Sequence, residues 1–421
     1  MIVRALILAS LGLAGAAAPA LGATVGVEPL KDGCTDRRCL GPSRQVRIVG
    51  GAGERNDIAV RPDGSGELVV SDAGAPLRVG RGCEPRPGGT ASCPRDAGVL
   101  VRVEARDGDD RAIVEGVAND VSGGAGDDTL SGEHCHGGPG ADVLAGVPML
   151  PAALWNFGAT LFGGSGDDQL TGSDRGDALF GGEGRDRVAA GGGDDQVIDE
   201  TRRPAADVLD GGPGDDRLSF SRRKQPVHVD LSAHGAGTGS AGEGNEFAGF
   251  ERLEGGAADD VLRAPAAGGD VRGGRGDDVL LGAGGEDHLD GEAGDDDVRG
   301  GGGDDALYGG TGDDRLGGGA GDDALTSQYG HDRLTGGPGR DQLATAFNRF
   351  GDGGDLLNGG AGPDRLLAGE GAGERPDRLD CGPGRRDVGE ADRGDRIRGC
   401  ERHRRPPARC CPRRRATVKR D

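Results

Sequence analysis

Residues 282–311 read GAGGEDHLDGEAGDDDVRGGGGDDALYGGT, with carboxylates set in glycine-rich turns and a single sizeable apolar residue between one turn and the next. The stretch parses into GAGGEDHLD, GEAGDDDVR and GGGGDDALY, followed by the start of another block. Working outward, the same nine-residue register holds from Gly255 to Ala344 as ten blocks without a gap. Their sixth positions are Asp260, Gly269, Asp278, Asp287, Asp296, Asp305, Asp314, Asp323, Asp332 and Asp341. Their eighth positions are Leu262, Val271, Leu280, Leu289, Val298, Leu307, Leu316, Leu325, Leu334 and Leu343, apolar every time.

The chain has 421 residues, 89 of them glycine and only 3% aromatic, with a formal net charge of -22. Such composition commonly marks disorder, because too little apolar surface is present to offset chain entropy. Disordered Gly-Asp sequence has no reason to keep a fixed register, so the phase points to a repeat fold. The acidity argues against nucleic acid as a partner, which needs clustered Lys and Arg, and makes cations the natural partners.

A second array of four blocks runs from Gly163 to Ile198, with Asp168, Asp177, Asp186 and Asp195 at the sixth position. Single units stand at Gly123 (GGAGDDTLS), Gly137 (GGPGADVLA), Gly211 (GGPGDDRLS) and Gly359 (GGAGPDRLL), and a degenerate one near Asp377. Repeats thus organise residues 122–401, interrupted by insertions at 146–162 and 221–254.

The nonapeptide G-G-x-G-x-D-x-U-x, with U apolar, has a direct physical reading. Its glycines permit a tight turn with positive φ, and the remaining residues form a short strand whose eighth side chain points inward. Two blocks make one flattened coil, and coils stack as parallel strands about 4.8 Å apart. Residues 18 apart then lie above one another: Asp260, Asp278, Asp296, Asp314 and Asp332 on one edge, Asp287, Asp305, Asp323 and Asp341 on the other. Two carboxylates about 5 Å apart repel by about 0.8 kcal/mol in water and more where shielded, so the stack opposes its own folding. A divalent cation between turns reverses that sign. Calcium fits best, because it accepts six to eight oxygen ligands in flexible geometry, and the repeat lacks the His and Cys that transition metals favour.

On these motifs the array resembles the RTX, or haemolysin-type, calcium-binding nonapeptide repeat. The resemblance implies an all-β parallel beta-roll binding multiple Ca2+ ions, each held between neighbouring coils by sixth-position carboxylates and backbone oxygens of the Gly-rich turns. Carried over residue by residue, the implied pairs are Asp168 with Asp186, Asp177 with Asp195, and each successive pair along the two edges of the longer array. Gly269 departs from the motif and leaves its edge without a carboxylate there. Pro226–Leu262 is similar to a segment that joins such arrays, and Asp380–Glu401 to a closing element of secreted proteins of this type. Many RTX proteins are exported by a C-terminal signal, whereas this chain opens differently.

Its start, MIVRALILASLGLAGAAAPALGA, has an early Arg, a short apolar run and small residues before a cleavage point. Residues 1–23 therefore read as a secretory signal peptide, with no membrane span in the mature chain and an extracellular destination, free or surface-associated, as the expectation. Nine cysteines suit that compartment, with Cys34 and Cys39, Cys83 and Cys93, and Cys381 and Cys400 as close pairs, and Cys135, Cys410 and Cys411 left over. Residues 24–121 carry alternating segments such as RQVRIVG and GVLVRVEAR and read as a small β-rich cap domain on the open end of the solenoid. Residues 402–421 are basic and Pro-rich and read as a flexible tail.

Other motifs carry less. GTGSAG at 237–242 matches a dinucleotide pattern that glycine abundance produces by chance, and no Walker A, HExxH or GxSxG is present. His134, Cys135 and His136 read as a polar spacer rather than a metal site, and the insertion bearing Trp155 as cover for the roll or as a partner-binding loop. The reading is therefore calcium ion binding without catalytic machinery, in a protein whose surface partner is a cell-surface or matrix polysaccharide or protein. Its competitor is a secreted hydrolase or polysaccharide-modifying enzyme that uses the repeats as a folding accessory.

Overall fold

The computed structural model describes residues 23–29, 44–95, 99–147, 158–199, 205–232, 244–345, 354–368, 375–391 and 394–404. All but the last residue of the expected signal peptide, Cys34, Cys39, Cys410, Cys411, Trp155 and nearly all of the basic tail lie outside them. The described chain is an all-β parallel roll, and no helix among the described residues is long and apolar enough to cross a membrane.

Each coil contributes one strand to a long sheet and one to a facing sheet. The long sheet has 19 strands, and the sheets opposite it have 11 and 9. In the regular array each strand pairs in parallel with the strand 18 residues on, as in Leu289 with Leu307 and Val298 with Leu316. Strand His288–Ala293 shows why the sequence does this: Leu289 and Gly291 turn inward and are buried, while His288 and Glu292 face out. The eighth-position ladder from Leu262 to Leu343 is buried throughout, no member more than 3% exposed. The interior is one aliphatic row per sheet, with glycine beside it so that the two sheets close tightly.

Parallel stacking begins upstream of residue 122. Strand Arg44–Val49 pairs in parallel with Val99–Asp107, which pairs with Asn119–Ala125; on the facing side Asp57–Pro62 pairs with Arg111–Val114 and that with Thr129–Gly132. Two coils of the roll therefore come from the segment read as a separate cap, built on Val46, Ile48, Ile58, Val60, Val101, Val103, Ala112 and Val114 rather than on nonapeptides. The capping elements are mostly antiparallel. In the long sheet Thr24–Pro29 pairs antiparallel with Arg44–Val49 and carries Arg78–Val79 in parallel at its outer side, and Glu67–Asp72, Thr90–Pro94 and Glu84–Arg86 extend the facing sheet, which blunts edges that would otherwise template aggregation. A Cys83–Cys93 disulfide holds this excursion and a Cys381–Cys400 disulfide holds the other end of the roll, as their spacing suggested.

The insertions are also more structured than expected. Thr160–Ser165 already belongs to the long sheet. Within 221–254, strand His228–Asp230 starts the second facing sheet by pairing with Val261–Arg263, whereas Glu246–Ala248 ends the first by pairing with Val208–Asp210. This segment is the splice between the two facing sheets. There the buried Arg223 guanidinium donates to Asp199 at 2.7 Å and lies 5.3 Å from the Phe220 ring centroid, while Phe220 meets Phe247 edge-on.

Candidate metal centre

Every Asp singled out by the register sits one residue before a strand and is buried: Asp168, Asp177, Asp186, Asp195, Asp260, Asp278, Asp287, Asp296, Asp305, Asp314, Asp323, Asp332 and Asp341 are all at most 4% exposed. The coils bring them together as the 18-residue step requires. Each carboxylate accepts, through Oδ1, the backbone N–H of the residue at the same position one coil earlier. Asp260 donates to Asp278 at 2.7 Å, Asp278 to Asp296 at 2.8 Å, Asp296 to Asp314 and Asp314 to Asp332 at 3.0 Å. The other edge runs Asp287, Asp305, Asp323, Asp341 at 2.9 to 3.0 Å. In the shorter array Asp168 donates to Asp186 and Asp177 to Asp195, at 3.0 and 2.7 Å.

The second carboxylate oxygen is the chemically telling one. Oδ2 of Asp168, Asp195, Asp278, Asp296, Asp305, Asp323, Asp332 and Asp341 is buried with no hydrogen-bond partner. A Cβ placed on Gly291 would press on Asp296 Oδ2 and lie 2.6 Å from the Gly309 carbonyl oxygen; one on Gly300 would press on Asp305 Oδ2 and lie 2.6 Å from the Gly318 carbonyl. The first glycine of such a block thus leaves open a cradle where a carboxylate oxygen and a carbonyl oxygen converge, as Gly163, Gly273 and Gly336 also do beside Asp168, Asp278 and Asp341. Two acceptors facing one buried space need a proton or a cation between them. Among the described residues no three His, Cys, Asp or Glu side chains converge as metal ligands, so any ion here takes much of its coordination from backbone carbonyls. An all-oxygen donor set of that kind suits calcium and not a thiophilic or imidazole-seeking metal.

Electrostatics agree. Burial, followed by the charge of neighbouring coils, pushes the Asp168, Asp195 and Asp278 carboxyls up to about 7, and Asp186, Asp296, Asp305, Asp314, Asp332 and Asp341 up to about 6. Asp177, Asp260, Asp287 and Asp323 are raised as well, burial again being the main cause.

Asp314 Oδ2 accepts from the Ser327 hydroxyl at 2.9 Å, and three further positions behave differently for one shared reason. Asp177, Asp260 and Asp287 follow coils that carry Ala159, Val227 and Gly269 where the preceding ladder step falls. At these ladder starts Oδ2 turns to the amide of its own turn: Ser173 for Asp177, Gly256 at 2.6 Å for Asp260, and Ala283 at 2.8 Å for Asp287.

The ladders are longer than the fixed register revealed. One runs Asn56, Asp110, Asp128, Asp142, Asp168, Asp186, Asp207, Asn245; another continues past Asp332 through Asp355 and Asp377 to Asp395; a third past Asp341 through Asp364 to Asp387, all with contacts of 2.6 to 3.0 Å. Oδ2 of Asp110, Asp128, Asp142, Asp216, Asp364 and Asp387 is likewise buried and unpartnered. Most steps here differ from 18, among them 14, 21, 22, 23, 26, 38 and 54 residues, so counting by 18 passes over these members. The signal that finds them is local: an Asp two residues before an inward apolar one, as in Asp128 with Leu130, Asp207 with Leu209 and Asp355 with Leu357. His134 and His136 face outward and Cys135 inward on one strand, so the three do not converge; burial pushes the Cys135 thiol up to about 12.

Fold and site together define a parallel β-roll whose turns stack buried carboxylates against backbone carbonyls at coil spacing. The RTX calcium-binding nonapeptide repeat matches residues 104–134, 116–146, 160–197, 205–221, 272–307, 308–343 and 351–372, and the chain belongs to the proteins that carry it. The matches begin within the coils that precede residue 122. No curated protein matches the chain.

Proposed function

We propose that the protein is exported and that its roll folds as it binds calcium, giving a rigid extracellular element with a structural or adhesive role and no catalytic site of its own. The observation that carries this is the row of buried Asp Oδ2 atoms without partners, of which those of Asp168, Asp278, Asp296, Asp305 and Asp341 lie beside a glycine-lined cradle edged by a carbonyl oxygen. Bound calcium would neutralise these oxygens and join one coil to the next. Asp168, Asp177, Asp186, Asp195, Asp260, Asp278, Asp287, Asp296, Asp305, Asp314, Asp323, Asp332 and Asp341 supply carboxylates in this reading, and so do the ladder members between and beyond them, such as Asp128, Asp142 and Asp364. Without ions the chain must either protonate these groups or leave the roll unformed, which couples binding to folding.

The test is circular dichroism of the mature protein during a calcium titration, with magnesium as the control, at two pH values. Strand signal should rise with calcium and not with equal magnesium; at pH 7.5, a chain fully strand-like in excess chelator ends the proposal. The pH arm has a definite sign. Carboxyls raised to about 6 or 7 bind more protons folded than unfolded between roughly pH 4 and pH 7. Stability of the metal-free roll is therefore fully present below about pH 4 and lost as pH rises through 6 to 7. Acid should induce strand signal in chelator, and more calcium should be needed at pH 5 than at pH 7.5, by at least about tenfold.

A further inference from the structure

We propose that the outer face of the second facing sheet binds a linear acidic polysaccharide, a 1,4-linked polyuronate, along a row of unpaired arginines. The inference rests on the calcium-folded roll and names a partner for it.

The strand register builds the row. Arg315 stands beside Arg333, Arg333 beside Leu356, Leu356 beside Arg378, and Arg378 beside Arg396. All four arginines are exposed on the outward side of their strands. Adjacent strands are about 4.8 Å apart, so the row spans about 19 Å with one apolar step in its middle. None of Arg315, Arg333, Arg378 and Arg396 makes an ion pair among the described residues. Several other arginines on the roll's outer faces are neutralised locally: Arg263 by Asp230, Arg272 by Asp270, Arg299 by Asp297 and Arg252 by Asp215.

Like charges stacked on neighbouring strands destabilise a sheet, and a chain with 72 acidic residues has ample means to pair them. That this row is left open points outward. A depression of about 570 Å³ lies over it, lined by Arg333, Leu356, Arg378, Arg396, Ile397 and Arg398. Arg398 is already held by Asp380 through Nε at 2.8 Å, so that pair is neutral. The remaining guanidiniums offer planar forks suited to carboxylates, and Leu356, on the same outward side as the arginines, offers an apolar surface for the C–H face of a sugar ring. In an extended β-1,4-linked polyuronate successive carboxylates alternate between the two sides of the chain, so those on one side recur at about every second strand, as Arg333 and Arg378 do across Leu356.

Charge also makes the site conditional. At -22 the chain repels any polyanion, and eleven divalent ions, adding 22 positive charges, would bring the formal charge to zero. Calcium loading of the ladders at the sheet edges thus orders the arginine row and removes the opposing field together.

The probe is a fluorescent β-1,4-glucuronate hexamer, followed by anisotropy with the full-length protein. In saturating calcium the hexamer should bind, and a neutral β-1,4-glucose hexamer should not. The double variant Arg333→Glu, Arg378→Glu should weaken binding at least about tenfold, whereas Arg187→Glu, on the first facing sheet, should not. Circular dichroism in calcium confirms that each variant folds. A double variant that binds like the parent overturns the inference, since the basic tail or calcium bridging would then carry the ligand. Equal or stronger binding to phosphatidylcholine vesicles containing phosphatidylglycerol overturns it in favour of a membrane. A parent that folds in calcium yet ignores the hexamer overturns this inference alone; a parent that does not fold overturns the calcium reading as well.

Discussion

The coils at residues 44–114 and those at 273–343 share one stack and are held by different chemistry. In the first, each strand turns at least two apolar residues inward, most of them branched, such as Val46 and Ile48 or Ile58 and Val60. In the second, a strand such as His288–Ala293 offers Leu289 and a glycine. At about 1.5 to 3 kcal/mol per buried aliphatic side chain, the early coils gain roughly twice the apolar stabilisation per strand. The ladder position differs in parallel. Asn56 Nδ2 lies 3.2 Å from the Ala105 carbonyl oxygen and 2.9 Å from Asp110 Oδ1, and a Cβ on Gly50 would meet Asn56 Nδ2 at 2.8 Å and press on the same Ala105 carbonyl. In the later coils that place is faced by a carboxylate oxygen, as at Gly291 and Asp296. Asparagine brings the donors that a carboxylate cannot, so an Asn-headed coil closes its cradle with its own atoms and an Asp-headed coil needs something from solution.

The largest expected effect follows from removing calcium. Amide exchange of the calcium-loaded protein should show both regions protected. Excess chelator should cost residues 273–343 at least about a hundredfold in protection and leave residues 44–49, 57–62 and 99–107 within a few fold. Uniform loss across both regions would show that the early coils depend on the later ones and not on their own core.

The contrast can be broken from the other side with Asn56→Asp. The substitution turns donors facing the Ala105 carbonyl into an acceptor and leaves a buried unsatisfied pair, at a cost of about 1 to 3 kcal/mol in chelator. Urea unfolding of the N-terminal coils should lose that amount without calcium and recover most of it with calcium. A loss that calcium does not restore would mean the cradle geometry at Gly50 differs from that at Gly291.

The same comparison explains what could be read without coordinates. The inward row from Leu262 to Leu343 and the ladder from Asp260 to Asp341 were legible because two blocks of nine make one coil and no loop disturbs the count. The coils at 44–114 were not, because they reach the same strand geometry through Val and Ile alternation with none of the glycine signature. Asp207 and Asp355 were passed over because loops of other lengths shift the step to 21 and 23 residues, although the turn chemistry at each is unchanged. The splice at 221–254 was hidden for another reason: three short strands, His228–Asp230, Glu246–Ala248 and Arg252–Glu254, enter three different sheets, a matter of long-range pairing that no local pattern records.

The smallest effect tests whether glycine at the second position of a block is a conformational need. Glu292 occupies that position with φ of +70°, where the corresponding residues one coil away, Gly274 and Gly310, have φ of +108° and +107°. A residue with a Cβ loses roughly 1 to 2 kcal/mol there. Glycine returns part of this through its more flexible unfolded chain, which leaves an expected gain of about 0.5 to 1 kcal/mol for Glu292→Gly in saturating calcium. Charge offers a rival cause, since burial and then the neighbouring Asp290 both push the Glu292 carboxyl above its usual range. Glu292→Ala separates the two, because it removes the carboxylate and keeps the strained backbone. If strain governs, urea midpoints will rise for the glycine variant and stay near the parent for alanine; equal rises would assign the effect to charge.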